Sequence, residues 1–210
     1  MKQSEKTEIT KRKILEAAEI EFAQNGLAAT KVDDIAKRAG VNKQLIYAHY
    51  VSKENLYSTI LGIVYDHLGE YEEILIKNKY EGIDTIRTII LQYFDFLKNN
   101  QTFVRLVLWE NLNNVAHLGN VKTQLFVGVE NIIRDGMEKG LISKELDVEQ
   151  LAYSFNVFCF SAFSNVNTIS RLTNKNMSSD EELTKRAEHV ADVLTKYVIY
   201  ANEKVGIKTE

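Results

Sequence analysis

An all-α protein with about nine helices is what this sequence predicts, in the form of a small N-terminal helix-turn-helix domain and a larger C-terminal helical domain. Three observations carry that reading. Proline is absent and only ten glycines punctuate the 210 residues, so little interrupts a helix except glycine and capping residues. Apolar residues recur at three- and four-residue steps through most of the chain, the period of an amphipathic helix. A chain that is 45% hydrophobic and 26% charged can bury one sizeable core and a small second domain, which argues against disorder.

The elements follow in order. Ile14, Ala18 and Phe22 recur every four residues and Gly26 stands where a left-handed terminator belongs, which predicts a first helix over roughly 7–24. Thr30 stands three residues before Asp33, the spacing of a capping box, at the head of a second helix over about 31–38 that ends at Gly40. Asn42 can cap a third over 43–49, and Ser52 a fourth that starts at Lys53 and runs toward about 78. Two short helices joined by "AGVN" have the spacing of a helix-turn-helix: Ile35 and Ala36 face inward from the first, and Val41, Ile46 and Tyr50 from the second.

That inward set leaves Lys43, Gln44, Leu45, Tyr47 and His49 on the outside or the rim of the second member. A helix laid in the major groove suits such a mixture. Lys and Gln can bond base edges, Leu can touch a thymine methyl, and hydroxyl or imidazole groups can hold phosphates. Lys53, at the head of the next helix, combines a cation with free backbone N–H groups and suits a phosphate. With Thr30 and Asn42 at the two helix starts, these residues form the candidate DNA-binding set. Charge is distributed to match: residues 1–60 carry ten Lys/Arg against eight Asp/Glu, whereas the rest carry 16 against 21.

The run "TKRKILEAAEIEFAQNGLAATKVDDIAKRAGVNKQLIYAHYVSKENLYSTIL", residues 10–61, resembles the DNA-binding domain of the TetR (tetracycline-repressor) family of bacterial regulators. The match takes in the "ILEAA…F…G" first helix, "T…IAKRAGV", and "IYAHYVSKENL", which is similar to the family's Tyr-x-His/Tyr-Phe-x-Ser-Lys-x-x-Leu signature. Tyr50 stands in place of its Phe, and Ala48 stands where the family frequently has an aromatic residue or His. The resemblance implies domains of 1–52 for DNA binding and 53–210 for ligand binding and dimerisation, with the fourth helix connecting them. The implied partners are a double-stranded DNA operator, a small organic inducer and a second copy of the chain, and the implied role is a repressor released by ligand.

Beyond residue 80, breaks at Gly82, 98–101, 113–120, 138–147 and 173–182 divide the chain into about five more helices. Asp147 with Gln150 and Ser179 with Glu182 have capping-box spacing at the eighth and ninth. Leu183, Ala187, Val190, Leu194 and Tyr197 repeat at four- and three-residue steps, a seam for another helix. On the eighth helix, read as continuous over 148–169, Phe155, Ala162 and Val166 lie on a uniform apolar face, a candidate part of the dimer interface, although the wheel does not say which face of this helix meets the partner. Tyr153, Asn156, Phe160 and Asn167 lie on a mixed aromatic and polar face. That face, with Phe103, Val107, Trp109 and Glu110 of the sixth helix, has the lining of a ligand pocket, and a desolvated Glu110 favours a cation. The inducer expected from it is amphiphilic and of drug or metabolite size.

No phosphate-cradling glycine loop, HExxH or nucleophile elbow occurs, so an enzyme is not expected. No cofactor is expected either. His67, Glu70 and His117 come nearest to metal spacing and leave a metal-sensing regulator as an alternative. A helical scaffold that contacts protein rather than DNA is the other. The single Cys159 excludes an intrachain disulfide. No apolar run reaches the roughly 18 residues of a spanning helix and the N-terminus has no secretory h-region, so a cytoplasmic protein without membrane contact is expected.

Overall fold

The computed structural model describes residues 3–76, 81–113 and 124–208. Among the described residues ten helices occur: α1 (Gln3–Ala29), α2 (Val32–Ala39), α3 (Lys43–Tyr50), α4 (Lys53–Ile76), α5 (Ile83–Asn99), α6 (Gln101–Asn113), α7 (Gln124–Glu138), α8 (Val148–Ser164), α9 (Val166–Thr173) and α10 (Asp180–Lys204). The all-α expectation stands, with one helix more than the sequence predicts. The extra one arises at Ser164–Asn165, where the eighth helix divides into α8 and α9. There Asn165 leaves helical geometry at φ −106° and ψ 10°, and its backbone amide closes α8 by donating to Ser161 O at 3.1 Å.

The chain forms two compact units, residues 1–67 with 102–121 and residues 68–101 with 122–210. The division differs from a boundary at 52/53 in two ways. It falls within α4, and it assigns nearly all of α6 to the first unit. Aromatic packing explains the second point: Phe103 is buried edge-on against Tyr65 of α4 at 5.6 Å between ring centroids, and Trp109 lies on α1 at Gly26.

In the first unit the stripe read from the sequence is the core. Ile14, Ala18 and Phe22 are wholly buried with Ile35 of α2 and, on α3 and α4, Ile46, Leu56 and Tyr57; Phe22 meets Tyr57 at 4.9 Å between centroids. Buried Glu21 ties α1 to α2 by accepting from Arg38 at 2.7 Å.

In the second unit α10 packs on α5 and α8, and α7 packs on α8. Tyr93 stacks on Phe155 and Phe94 meets Phe163, an aromatic seam between α5 and α8. Arg87 of α5 pairs with Glu188 and Asp192 of α10. Asn202, wholly buried, accepts from the Ser143 amide at 2.8 Å and donates to Leu141 O at 2.9 Å, pinning the segment between α7 and α8. Burial pushes the Cys159 thiol far up from its ordinary value, so it behaves as a small apolar residue.

The face of α10 assigned to a partner is a face of this core. Leu183, Ala187, Val190 and Leu194 are buried in their own chain, as is Phe155 on α8. A four-three apolar repeat reports only that another helix covers it, and here α5 of the same chain does. From the candidate interface Tyr197 is exposed, while Ala162 and Val166 are half-buried.

Candidate nucleic-acid interface

Helices α2 and α3 form the helix-turn-helix. Gly40 closes α2 in the left-handed conformation (φ 68°, ψ 33°), and its end is sealed by the Val41 amide donating to Ala36 O at 3.0 Å. Asn42 then caps α3, its Oδ1 accepting from the Leu45 amide at 2.8 Å. Ser52 does the same for α4 through the Asn55 amide at 3.0 Å. Ile46 and Tyr50 turn inward, which leaves Lys43, Gln44, Tyr47 and Ala48 exposed and Leu45 and His49 half-buried on the outer side of α3. Asn42 is exposed as well, but its side-chain oxygen serves the cap. Lys43 is held at 2.9 Å by Asp33 of α2, whose hydrogen bond raises its pKa. The ammonium is aimed rather than loose.

Two members of the candidate set have other work. Thr30 is buried and is not the cap of α2, which starts after Lys31 without a side-chain cap. Its hydroxyl donates to Gly26 O at 2.6 Å and lies 3.1 Å from Glu21 O, closing the end of α1. Lys53 directs its ammonium at three backbone carbonyls, Leu27 at 2.7 Å, Thr30 at 3.1 Å and Ala28 at 3.4 Å. An ammonium has three donors, so this cation is spent on the carbonyl end of α1, where the helix dipole also favours it.

Gly26 explains why that end needs sealing. The glycine interrupts α1 with φ 69° and ψ 173°, a region essentially confined to glycine. The Trp109 ring lies flat enough on it that an added Cβ would come within 2.8 Å, and Trp109 Nε1 donates to Ala23 O at 3.3 Å. Tyr57 donates to Glu110 Oε1 at 2.8 Å, and burial with that bond pushes the phenol well above its ordinary value. Trp109 and Glu110 thus join α6 to α1 and α4 inside the first unit.

The remaining pocket candidates are divided. Phe103 is buried and Val107 half-buried on α6 in the first unit; Tyr153, Asn156 and Phe160 lie on α8 and exposed Asn167 on α9 in the second. The helix break at Asn165 removes Asn167 from the wheel of α8. His117, named for metal spacing, lies outside the described residues. Within the second unit, a cleft of about 360 Å³ is lined by Phe163, Val166 and Leu183 with Lys98, Gln101 and Ser178. A second, wholly apolar cavity of about 20 Å³ lies among α5, α7, α8 and α10, walled by Ile86, Ile133, Phe155, Leu194 and their neighbours.

Residues 14–60 match the family described as "Bacterial regulatory proteins, tetR family", and residues 83–194 match "Tetracyclin repressor-like, C-terminal domain". The chain belongs to the TetR family. It is 32% identical over 156 residues, 68% of this chain and 72% of the other, to the HTH-type transcriptional repressor KstR2 of Rhodococcus jostii. It is 30% identical over 149 residues, 70% of this chain and 74% of the other, to the HTH-type transcriptional repressor SCO4008 of Streptomyces coelicolor. The fold resembles that of FadR from Bacillus subtilis, solved in complex with stearoyl-CoA, with a TM-score of 0.63 at 20% identity, covering 88% of this chain and 97% of the other. TetR-type repressors bind DNA operators and small molecules, and this chain is of that type. Among the described residues no helix is long and apolar enough to cross a membrane, and no three His, Cys, Asp or Glu side chains are grouped to hold a metal ion.

One feature of the interface has no sequence signal strong enough to find it. Val51, between α3 and α4, has φ 63° and ψ −52° and is 81% exposed. The Ser52 amide donates to Tyr50 O at 2.6 Å, which makes Val51 the centre of a γ-turn of the positive-φ kind, a rare and strained conformation.

Proposed function

We propose that this TetR-family protein is a dimeric transcriptional repressor that binds a pseudo-palindromic operator and releases it when a small amphiphilic molecule occupies the C-terminal part of the chain. The exposed outer side of α3, capped at Asn42 and held over α2 by Ile46, is the observation that carries the DNA half of the reading. Gln44 bonds base edges, Tyr47 and His49 reach backbone phosphates, and Lys43 exchanges Asp33 for DNA. Dimerisation is supported by the apolar residues on the outer sides of α8 and α10: Tyr153 and Val157 on one, Val193, Tyr197 and Tyr200 on the other, each 39–58% exposed.

An amphiphilic inducer is supported by the cleft whose lining combines apolar Phe163, Val166 and Leu183 with polar Lys98, Gln101 and Ser178. A preference for cations no longer has a basis, because the carboxylate behind it, Glu110, accepts from Tyr57. Ligand acts by population shift: it binds the DNA-incompetent arrangement more tightly than the competent one.

DNA selected from a random pool tests this. The selected sequences will show two half-sites centred about 34–36 Å apart or a multiple of that, and Gln44→Ala will relax the base preference. Equal affinity for isolated half-sites and full sites would reject the dimeric reading. Operator release, measured while acyl compounds and lipophilic cations of matched size are titrated, identifies the inducer class.

A further inference from the structure

The valine at position 51 is stereochemically expensive and does nothing for the core. Its φ of 63° places a β-branched side chain where L residues are rarely found, and at 81% exposure its isopropyl group contributes almost no burial. The backbone does not require it, since glycine adopts this turn without a Cβ penalty. The turn itself is needed: the Val51 amide donates to Tyr47 O at 3.0 Å, closing α3, and Ser52, the next residue, caps α4. So the two helices meet through two residues, Val51 and Ser52. Neither packing nor backbone geometry accounts for a side chain there, and a group that is strained yet solvent-facing points to a partner absent from the free protein.

We infer that Val51 is a DNA-contact residue, its isopropyl group covering an apolar part of the operator at the C-terminal end of the recognition helix. This inference rests on α3 reading DNA. Two parts of a duplex offer that chemistry, the thymine 5-methyl group in the major groove and the carbon face of a deoxyribose. A lysine or serine at this position would contact phosphate; valine selects for carbon.

The experiment measures affinity for the operator selected by the wild-type protein, together with thermal stability, for Val51→Ala, Val51→Gly and Val51→Ile. Val51→Ala, which keeps a Cβ at the strained position but removes both methyl groups, will weaken binding about five- to tenfold, the worth of one to two buried carbon groups. Val51→Ile will bind as the wild type does. Val51→Gly will raise the melting temperature by about 2–4 °C as strain is released and will nonetheless bind at least as weakly as Val51→Ala. Operators carrying deoxyuridine for thymine then separate the two sources: a loss for the wild type that Val51→Ala does not share assigns the thymine methyl, and equal behaviour of the two proteins assigns the deoxyribose. Wild-type affinity in Val51→Ala overturns the contact, even if Val51→Gly binds poorly, because the residue would then act through its backbone alone. Failure of the wild type to select any DNA sequence would instead reject the DNA-binding reading.

Discussion

Replacing Gly26 with alanine tests the junction between α1 and α6 most directly. Two costs act together. The backbone at φ 69°, ψ 173° is a conformation that residues with a Cβ rarely adopt, worth about 1–3 kcal/mol. The new methyl group would also lie 2.8 Å and 2.9 Å from two carbons of the Trp109 ring, and the ring is not free to retreat because its Nε1 donates to Ala23 O at 3.3 Å. Overpacking of that kind costs about 1–3 kcal/mol. The expected destabilisation is therefore about 3–5 kcal/mol, a large share of the roughly 5–15 kcal/mol that holds a domain folded. Urea unfolding followed by far-ultraviolet circular dichroism measures it, with the fluorescence of Trp109, the sole tryptophan, reporting on the junction. In a Trp109→Ala background the steric part vanishes and only the backbone part remains, so the same substitution will cost about 2 kcal/mol less. A cost below about 1 kcal/mol, or one that is equal with and without the indole, would refute the reasoning.

Three further outcomes follow from the geometry. Lys53→Ala will lower stability by about 1–3 kcal/mol, because three carbonyls at the end of α1 lose their donor; unchanged denaturation with weaker operator binding would return Lys53 to the phosphate. Leu194→Asp will unfold the second unit, since Leu194 is 3% exposed, whereas Tyr197→Asp, at 48% exposure, will leave helicity intact and shift the protein to monomer in sedimentation. Alkaline pH will destabilise the fold. Tyr57, Tyr65 and Tyr71 are pushed above the ordinary 10.0 chiefly by burial, and Cys159 above its ordinary 9.0, so the folded chain holds protons that the unfolded chain releases. Their contribution is fully present below about pH 9 and is lost as pH rises through and beyond about 10. Melting temperatures measured across that range check it, and Tyr57→Phe will flatten the decline.

What the sequence determined by itself was local. A stripe at Ile14, Ala18 and Phe22, a helix end at Gly40, and caps at Asn42, Ser52, Asp147 and Ser179 all depend on neighbours within a few residues, and each is found as read. The outward set of α3 was legible for the same reason, because the helical period and one buried Ile46 decide it. Other assignments depended on which surfaces meet. An apolar stripe on α10 states that a helix covers it and is silent on whose helix, so Leu183, Ala187, Val190 and Leu194 read as a dimer seam although α5 and α8 of the same chain pack there. A carboxylate on an apolar face looks like a ligand anchor until Tyr57, 53 positions away, donates to Glu110. A lysine at a helix start looks like a phosphate site until the end of α1, 23–26 positions earlier, presents its carbonyls to Lys53. Hydrogen-bond partners distant in sequence leave no periodicity, because their proximity is created by packing; only the tertiary structure decided between a group that waits for a ligand and a group that already has its partner.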